Sequence, residues 1–345
     1  MAKEKILFEK KNILVLGGAG FIGSHLCDKL IDDNKVICID NFVSGKEENI
    51  DHLLRSENFI FIKDDINNLV DLEKYKELER FQIKFQGVQE IYNLACPTSP
   101  KDFKKNSILT AWTNSLGTIR ALDLAVKYKA KLLHFSSSVV YGPRGEGEPL
   151  MKEYQYYASS PLTPRACYDE GKRFAETLIY TYRQQYGLDA KILRIFTTYG
   201  PRMPLFEGHM IPDFFVAALD NQPLVIYGDE NFSTTLCYIS DVIDASLKMM
   251  AGTEVGPFNI GNPEEHKISD IAKKIIAMTD SKSEIRYADP LLFMSRLGIP
   301  DISMAKEKLQ WFPITLLDKG LEVTGEYAKA NKVKIDWSKV AEIKD

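Results

Sequence analysis

Two short segments of the sequence carry side chains that together suit hydride transfer. Tyr168 and Lys172 are four positions apart, and a run of three serines, residues 136–138, precedes them. On a helix, positions i and i+4 share a face, so the Lys172 ammonium can lie beside the Tyr168 phenol and favour the phenolate, a base. The 16 tyrosines of this lysine-rich chain could also give one such pair by chance, as a surface contact, so the neighbouring elements have to decide.

The N-terminal segment predicts a dinucleotide-binding unit. Residues 12–16 form an apolar strand pattern that leads into a glycine-rich turn and then a helical pattern. Gly17 permits the tight turn, Gly20 lets the backbone approach a pyrophosphate, and Gly23 lets the helix pack on the strand. A second apolar strand ends at Asp40, where a carboxylate can bind both ribose hydroxyls. The alternative is a glycine turn in another kind of doubly wound protein.

Asp40 also bears on which dinucleotide binds. A carboxylate at this position repels a ribose 2′-phosphate, and no arginine follows it at once, so NAD is favoured over NADP. Lys46 lies close enough along the chain to leave NADP open as an alternative.

Length and charge restrict the class of protein. The chain has 345 residues, 45% of them hydrophobic, which is enough for a large core and two lobes. Its net charge of −4 gives no general attraction to polyanions, and its basic clusters are balanced by acidic residues. We therefore expect a small-molecule ligand and no nucleic-acid partner.

Cysteine and histidine spacing argues against a metal site. The five cysteines and five histidines show neither paired nor metal-ligand spacing, so reduced thiols are expected. The first 11 residues are charged, and no apolar run approaches the ~20 residues that span a bilayer. These features predict a cytoplasmic protein with no membrane partner.

The order of apolar segments predicts an α/β fold with a doubly wound parallel sheet, the Rossmann arrangement, and a smaller C-terminal lobe. Strand-like runs recur, with helical patterns between several of them, at residues 59–62, 91–94, 132–135 and 192–196. We expect a dinucleotide-binding domain at 10–195, rejoined by 236–262, and a substrate lobe at 196–235 and 263–345. Because ligands bind at the carboxyl ends of such strands, the serine run belongs at that edge.

These motifs together resemble the extended short-chain dehydrogenase/reductases of the NAD-dependent nucleotide-sugar epimerase/dehydratase family. The segments that carry the resemblance are residues 17–23, 40, 93–95, 113–114, 136–142 and 168–172. Within that family, residues 164–173, 200–203 and 261–266 are most similar to UDP-glucuronate decarboxylases.

The resemblance implies a bound NAD and a nucleotide sugar, with UDP as the expected nucleotide, that is oxidised at sugar C4. Tyr168 would remove the hydroxyl proton, Ser137 would hydrogen-bond the same oxygen, and Lys172 would hold the nicotinamide ribose and lower the pKa of Tyr168. The residues expected around the cofactor are Gly17, Gly20, Phe21, Ile22, Gly23, Asp40, Asn41, Phe42, Ser44, Gly45, Asp65, Ile66, Leu94, Ala95, Thr113, Tyr168, Lys172 and Thr198. Those expected around the substrate are Pro97, Thr98, Ser99, Ser137, Thr197, Arg202, Tyr227 and Arg296.

The resemblance also implies a homodimer. Members of the family usually pair through two long helices per subunit, which here would include residues 110–126 and 168–186. The alternative is that the apolar faces of these helices belong to the core of one subunit.

Four positions depart from the family pattern. Val139 stands where decarboxylases have a glutamate, Thr197 replaces an asparagine, Thr234 an arginine, and Trp112 a residue that is commonly basic. Valine cannot move a proton, so these departures favour altered chemistry at C5 or a different sugar. The alternative is that nearby residues such as Lys101, Arg202 and Arg296 have taken over the lost contacts.

Three functions remain open at this point. The leading prediction is NAD-dependent conversion of a UDP-sugar through a 4-keto species, with net epimerisation, isomerisation or 4-oxidation or reduction. The first alternative is decarboxylation of UDP-glucuronate, in which the C4 carbonyl acts as the electron sink. The second is a catalytically idle nucleotide-sugar-binding protein.

Overall fold

The computed structural model describes residues 10–69, 71–99, 105–142, 150–156, 158–289 and 298–332, together with 335 and 337. Its strands are β1 Asn12–Leu16, β2 Lys35–Asp40, β3 Phe59–Lys63, β4 Glu90–Asn93, β5 Lys131–Ser137, β6 Leu150–Met151, β7 Ala190–Ile195, β8 Thr198–Tyr199, β9 Leu224–Tyr227, β10 Ser233–Thr235, β11 Cys237–Tyr238, β12 Phe258–Ile260, β13 Glu265–Lys267, β14 Ile285–Ala288 and β15 Ile299–Pro300. Its α-helices are α1 Phe21–Leu30, α2 Ile83–Gln86, α3 Ser107–Trp112, α4 Thr118–Tyr128, α5 Ala166–Tyr186, α6 Met210–Leu219, α7 Ile239–Ala251, α8 Ile268–Met278, α9 Ser303–Leu309 and α10 Leu317–Ala330. Short 3₁₀ helices lie at Glu47–Asn49, Asp51–Leu53, Ile66–Asn68, Leu72–Lys74, Lys76–Phe81 and Ser138–Tyr141.

The central sheet confirms the predicted doubly wound α/β fold. Within the described residues it has seven strands in the order β12-β7-β5-β4-β1-β2-β3, and every neighbouring pair is parallel. All five side chains of β1 are buried because helices cover both faces. Ile13 and Val15 pack in the core on one face, while Leu14 and Leu16 pack in the core on the other. This two-sided burial explains the unbroken apolar runs in the sequence.

A second apolar core lies outside the sheet. It includes Tyr199 after β7, Phe214 and Phe215 of α6, Ile271 of α8 and Leu321 of α10. Later in the chain, β12 pairs with β7 and forms one edge of the central sheet. The chain therefore returns to the sheet after the first part of this lobe. The domain boundaries given above remain a prediction.

The first of the two long helices is interrupted. It begins at Ser107, earlier than predicted, and runs through α3, a π-helical segment at Thr113–Gly117, and α4 to Tyr128. At Gly117 an added Cβ would lie 2.9 Å from the Ile66 side chain, so glycine allows this close packing. The second helix, α5, begins two residues before Tyr168 and ends at Tyr186 as predicted.

The described residues contain neither a membrane-spanning helix nor a metal-binding cluster. No helix in the described part of the chain is long and apolar enough to cross a bilayer. Across the same residues, no group of three or more His, Cys, Asp or Glu side chains is arranged to hold a metal ion.

Candidate active site

A cavity of about 370 Å³ lies at the carboxyl edge of the central sheet. Its lining includes Gly17 directly after β1, Asp40 at the end of β2, Leu94 after β4, Ser137 at the end of β5 and Thr197 after β7. Five strands therefore deliver residues to one place, because parallel strands all end at the same edge.

The glycine turn at this edge leaves no room for side chains. Gly17 has φ +79°, a conformation that glycine adopts without strain, and an added Cβ would lie 2.8 Å from the Ala95 Cα. An added Cβ at Gly23 would collide with the Gly17 carbonyl oxygen. Helix α1 starts directly after Gly20, and no side chain caps it. Its first N–H groups are thus available to a phosphate, as the sequence predicts.

Asp40 is held at the far side of this turn. Its carboxylate accepts hydrogen bonds from the backbone N–H groups of Ala19, at 3.0 Å, and Phe42, at 2.8 Å. Burial raises the pKa of Asp40, and these N–H donors act in the opposite direction. Lys46 is exposed. The turn, the helix N-terminus and the buried carboxylate fit a dinucleotide with an unmodified ribose.

The structure brings the three predicted catalytic side chains together. Tyr168 and Lys172 lie one turn apart on α5 and are 8% and 3% exposed, and the Ser137 side chain is hydrogen-bonded to Tyr168. The Lys172 Nζ lies 6.0 Å from the centroid of the Tyr168 ring and donates a 2.8 Å hydrogen bond to the Phe135 carbonyl. Both Tyr168 and Lys172 line the cavity.

Burial works against the ionised form of both groups. It raises the pKa of Tyr168, while the hydrogen bond from Ser137 and the charge of Arg165 lower it. It also lowers the pKa of Lys172, and the negative charges of Cys96, when ionised, and Glu176 oppose that change. An additional positive charge next to Tyr168 would therefore be needed to make this phenol a base near neutral pH.

Most of the predicted residues line this cavity. The predicted cofactor residues among them are Gly17, Gly20, Phe21, Ile22, Gly23, Asp40, Asn41, Ser44, Ile66, Leu94, Ala95, Thr113, Tyr168, Lys172 and Thr198. The predicted substrate residues among them are Pro97, Thr98, Ser99, Ser137 and Thr197. Arg296 and Lys101 lie outside the described residues.

Three predicted cofactor residues lie just behind the lining. Phe42 stacks on Phe61, with ring centroids 4.9 Å apart. An added Cβ at Gly45 would lie 2.9 Å from both carboxylate oxygens of Asp40, so glycine lets this loop close over the carboxylate. Asp65 accepts a 3.1 Å hydrogen bond from the Asn41 side chain. Phe42, through its N–H group, and Gly45 contact Asp40, and Asp65 contacts Asn41. Asp40 and Asn41 both line the cavity.

Two predicted substrate residues are not brought to the cavity. The Arg202 guanidinium forms a 2.7 Å ion pair with Asp28 of α1, on the outer side of the glycine turn. Tyr227 ends β9 in the second lobe and does not contribute to the lining. The structure thus gives Arg202 a role in holding the second lobe against α1.

Several lining residues were not predicted as site residues. They include Cys96, Arg165, Met203, Pro204 and His209. Arg165 lies 5.9 Å from the centroid of the Tyr168 ring and forms a 2.8 Å ion pair with Asp169. Its position three residues before Tyr168, at the start of a helix, is the signal that could have identified it.

The four departures from the family pattern separate in space. Val139 lines the cavity and packs on Tyr168, and Thr197 lines the cavity as well. Thr234 lies in β10, paired with His266 of β13, and does not line the cavity. Trp112 is 58% exposed on α3. Two of the four changes thus alter the cavity wall itself.

Comparison with known proteins agrees with this geometry. The NAD dependent epimerase/dehydratase family matches residues 13–261. UDP-glucuronic acid decarboxylase 1 of Xenopus tropicalis is 38% identical over 349 aligned positions, which cover 99% of this chain and 79% of that protein.

Two solved structures have the same fold. UDP-glucose 4-epimerase of Thermotoga maritima with UDP-glucose has a TM-score of 0.80 and 30% identity, and the alignment covers 92% of this chain and 99% of that one. UDP-glucuronic acid 4-epimerase of Bacillus cereus, in complex with UDP-glucuronic acid and NAD, has a TM-score of 0.80 and 29% identity over the same shares of the two chains.

Asp40 should make the protein bind NAD more tightly than NADP. A carboxylate at this position would repel a ribose 2′-phosphate, so we expect a Kd for NADP that is larger than that for NAD by about tenfold or more. Calorimetric titration of cofactor-free protein with each dinucleotide measures the two Kd values. Asp40→Ala should reduce the ratio of the Kd for NADP to the Kd for NAD.

The exposed Lys46 provides the matched control. If Lys46→Ala leaves the preference unchanged, this lysine has no part in choosing the dinucleotide. Equal or tighter binding of NADP by the unaltered protein would show that the role assigned to Asp40 is wrong.

Proposed function

Because this chain belongs to the NAD dependent epimerase/dehydratase family, we propose that it oxidises the sugar of a UDP-linked nucleotide at C4. The net reaction is then epimerisation, isomerisation, or 4-oxidation or reduction. The observation that supports this function best is the hydrogen-bonded pair of Ser137 and Tyr168, beside Lys172, in the same cavity as the glycine turn. A UDP-sugar as the ligand agrees with the nucleotide sugars named for the related proteins.

The chain's own residues would hold the cofactor and move the proton. Bound NAD supplies the hydride acceptor, and its oxidised ring adds positive charge near the phenol. The turn at residues 17–23 and Asp40 hold the dinucleotide, and Lys172 contributes a second positive charge. Tyr168 then takes the proton of the C4 hydroxyl while Ser137 hydrogen-bonds the same oxygen. In a net epimerisation or isomerisation, Tyr168 would give this proton back to the C4 oxygen as the hydride returns to C4, which would restore the oxidised cofactor.

The cavity wall favours a neutral sugar. Val139 lies against Tyr168 and brings an apolar side chain that cannot exchange a proton with C5. Met203 and Pro204 also line the cavity. Among the described lining residues, the arginine and lysine side chains are Arg165, which is already paired with Asp169, and Lys172. A substrate carboxylate would therefore lack a dedicated cationic partner among them.

Decarboxylation of UDP-glucuronate is the second candidate. It is favoured by the 38% identity to a UDP-glucuronic acid decarboxylase along almost the whole chain. Oxidation at C4 makes the sugar acid a β-keto acid, which can lose carbon dioxide with the C4 carbonyl as electron sink and without a base at C5. Val139 therefore does not by itself prevent this reaction. An idle nucleotide-sugar-binding protein is the third candidate, and the buried pair of Tyr168 and Lys172 disfavours it, because simple binding gains little from an activated phenol.

Tyr168→Phe should abolish turnover while NAD remains bound. The change removes one proton-transferring oxygen and little volume, and general acid–base groups contribute ~10²–10⁴-fold to rate. Turnover is followed by mass spectrometry of a UDP-sugar panel, and cofactor content by absorbance. Tyr182→Phe is the control, because this tyrosine lies on the same helix and its hydroxyl bonds Asp123 outside the cavity. Near-normal turnover by Tyr168→Phe would mean that another group is the base.

A neutral UDP-hexose, or its deoxy or acetamido relative, should be converted faster than UDP-glucuronate. The physical reason is the apolar side chain of Val139 and the lack of a cation for a carboxylate. Val139→Glu, alone and with Thr234→Arg, should raise any trace decarboxylase activity, measured as released carbon dioxide. Thr234→Arg alone is the control, since this position lies outside the cavity lining. Rapid release of carbon dioxide from UDP-glucuronate by the unaltered protein would contradict the preference for a neutral sugar. It would show that the protein is a UDP-glucuronate decarboxylase.

We also propose a homodimer that pairs through the first long helix, from α3 to α4, and through α5. These helices carry the exposed side chains of Ile108, Trp112, Phe174 and Tyr180. An exposed apolar face of this kind is typical of a protein interface. Trp112→Glu with Phe174→Glu should therefore lower the mass measured by light scattering from two chains to one.

Phe85→Glu is the matched control for the dimer, because Phe85 is 86% exposed and lies on α2, which is part of neither long helix. It should leave the mass unchanged. A monomeric unaltered protein would refute the proposed dimer.

A further inference from the structure

A buried ion pair lies directly behind the catalytic side chains. Arg194 of β7 is 1% exposed, and its Nε and Nη2 donate hydrogen bonds of 2.9 and 2.7 Å to the two carboxylate oxygens of Glu176 on α5. Neither residue lines the cavity. The pair is thus a two-pronged, charge-assisted contact that links the central sheet to the helix of Tyr168.

Glu176 also holds the end of β5. Its Oε1 accepts a 2.6 Å hydrogen bond from the Ser136 hydroxyl. The next residue, Ser137, is turned toward Tyr168 and is hydrogen-bonded to it. The preceding carbonyl, that of Phe135, accepts the hydrogen bond of the Lys172 Nζ. Glu176 therefore fixes the short piece of backbone that carries both Ser137 and the acceptor for Lys172.

Arg194 extends the same network to the segment beyond β5. Its Nη1 donates a 2.9 Å hydrogen bond to the Glu153 carbonyl, and its guanidinium lies 4.8 Å from the centroid of the Tyr141 ring. The Tyr141 hydroxyl donates a 2.6 Å hydrogen bond to Asn259 of β12. The pair thereby holds the turn at Ser138–Tyr141, which presents Val139 to the cavity.

The charges around Lys172 give the pair an electrostatic effect as well. Negative charge on Cys96 and Glu176 favours the charged form of Lys172. Burial and the Lys172 charge lower the pKa of His134, and the Tyr168 ring lies 6.0 Å from the Lys172 Nζ. Burial lowers the pKa of Lys172, and the Glu176 carboxylate opposes that change. Arg194 in turn forms a 2.7 Å ion pair with the Glu176 carboxylate. Arg165 and Asp169, on the far side of the phenol, act on Tyr168 itself.

We propose that Glu176 and Arg194 are positioning residues of the hydride-transfer site, which fix Ser137 against Tyr168 and the Phe135 carbonyl against Lys172. This inference rests on the C4 oxidation proposed above. It assigns to two residues that touch neither substrate nor cofactor a direct influence on the rate and on its pH dependence.

The test uses the double variant Glu176→Gln/Arg194→Met in NAD-loaded protein. Glu176→Gln alone would leave a buried guanidinium without a counter-charge and destabilise the fold, whereas the double variant removes both charges together. A misplaced reacting group costs on the order of 10²-fold in rate, so kcat for the UDP-sugar should fall by about that factor while KM stays close to its original value.

The pH dependence of kcat is a second measurement, and a loss of packing alone would not shift it. Without the Glu176 charge, Lys172 holds its proton less well and supports the Tyr168 phenolate less. The pKa of Tyr168 then rises, and the limb of kcat that increases with pH should move to higher pH. Arg194→Lys keeps both charges but loses the two-pronged contact, so it should lower kcat and leave the position of that limb unchanged.

Lys191→Met is the matched control. Lys191 is a buried cation of the same strand, and its Nζ binds the carbonyls of Gly252 and Glu254 at the opposite end of the sheet. Its loss should lower Tm without moving the pH profile. A shift in this control equal to that of the double variant would overturn the proposal.

A third measurement separates this inference from the proposed function. Tyrosinate absorbance of NAD-loaded protein, minus that of Tyr168→Phe, reports the ionisation of Tyr168 without any sugar. If the unaltered protein converts no UDP-sugar, the proposed function fails and this titration decides the positioning role. A double variant that folds, retains NAD and shows an unchanged Tyr168 titration would refute that role.

Discussion

The burial of an ammonium group beside a phenol is the constraint on which the rest of this structure depends. Lys172 is almost inaccessible to water, yet its function requires a positive charge, and burial alone favours the neutral amine. Two contacts favour the charged form of Lys172. The Phe135 carbonyl accepts a hydrogen bond from its Nζ, and Glu176 supplies negative charge. Both partners can be provided only by elements that are held rigidly, because a short hydrogen bond and a directed charge tolerate little displacement. The end of β5, the helix α5 and the strand β7 are accordingly locked to one another.

The cofactor half of the cleft relies on backbone geometry instead. At Gly17 and Gly23 the space for a side chain is already filled by backbone atoms. Helix α1 begins directly after Gly20. Asp40 is held by N–H groups of the main chain. Such a site depends on the absence of side chains and on one carboxylate. It is therefore determined by a short stretch of the sequence, residues 17–40.

This difference explains how much could be predicted from the sequence. The parallel sheet, the glycine turn, Asp40 and the Tyr168–Lys172 pair follow from local periodicity and short spacings, and the structure brings them to one edge. Arg202 could not be placed in this way, because its ion pair with Asp28 connects residues far apart in the chain. The same holds for Glu176 and Arg194, whose contact gives no periodic signal and whose residue types usually indicate an exposed surface. The interruption of the first long helix at Thr113–Gly117 also depends on tertiary packing, here against Ile66.

The distribution of the departures from the family pattern bears on how the reaction of such a protein can change. Val139 and Thr197 alter the wall of the cavity, whereas Thr234 and Trp112 lie outside the lining. Val139 sits on a turn whose position is fixed from behind by Tyr141 and Arg194, and its side chain packs on Tyr168. Ser137 and Val139 are thus carried by one short segment, whereas Tyr168 and Lys172 are carried by α5. A substitution at position 139 would therefore change the cavity wall beside Tyr168 and leave unaltered Ser137, Tyr168 and Lys172, the groups of the proposed C4 oxidation.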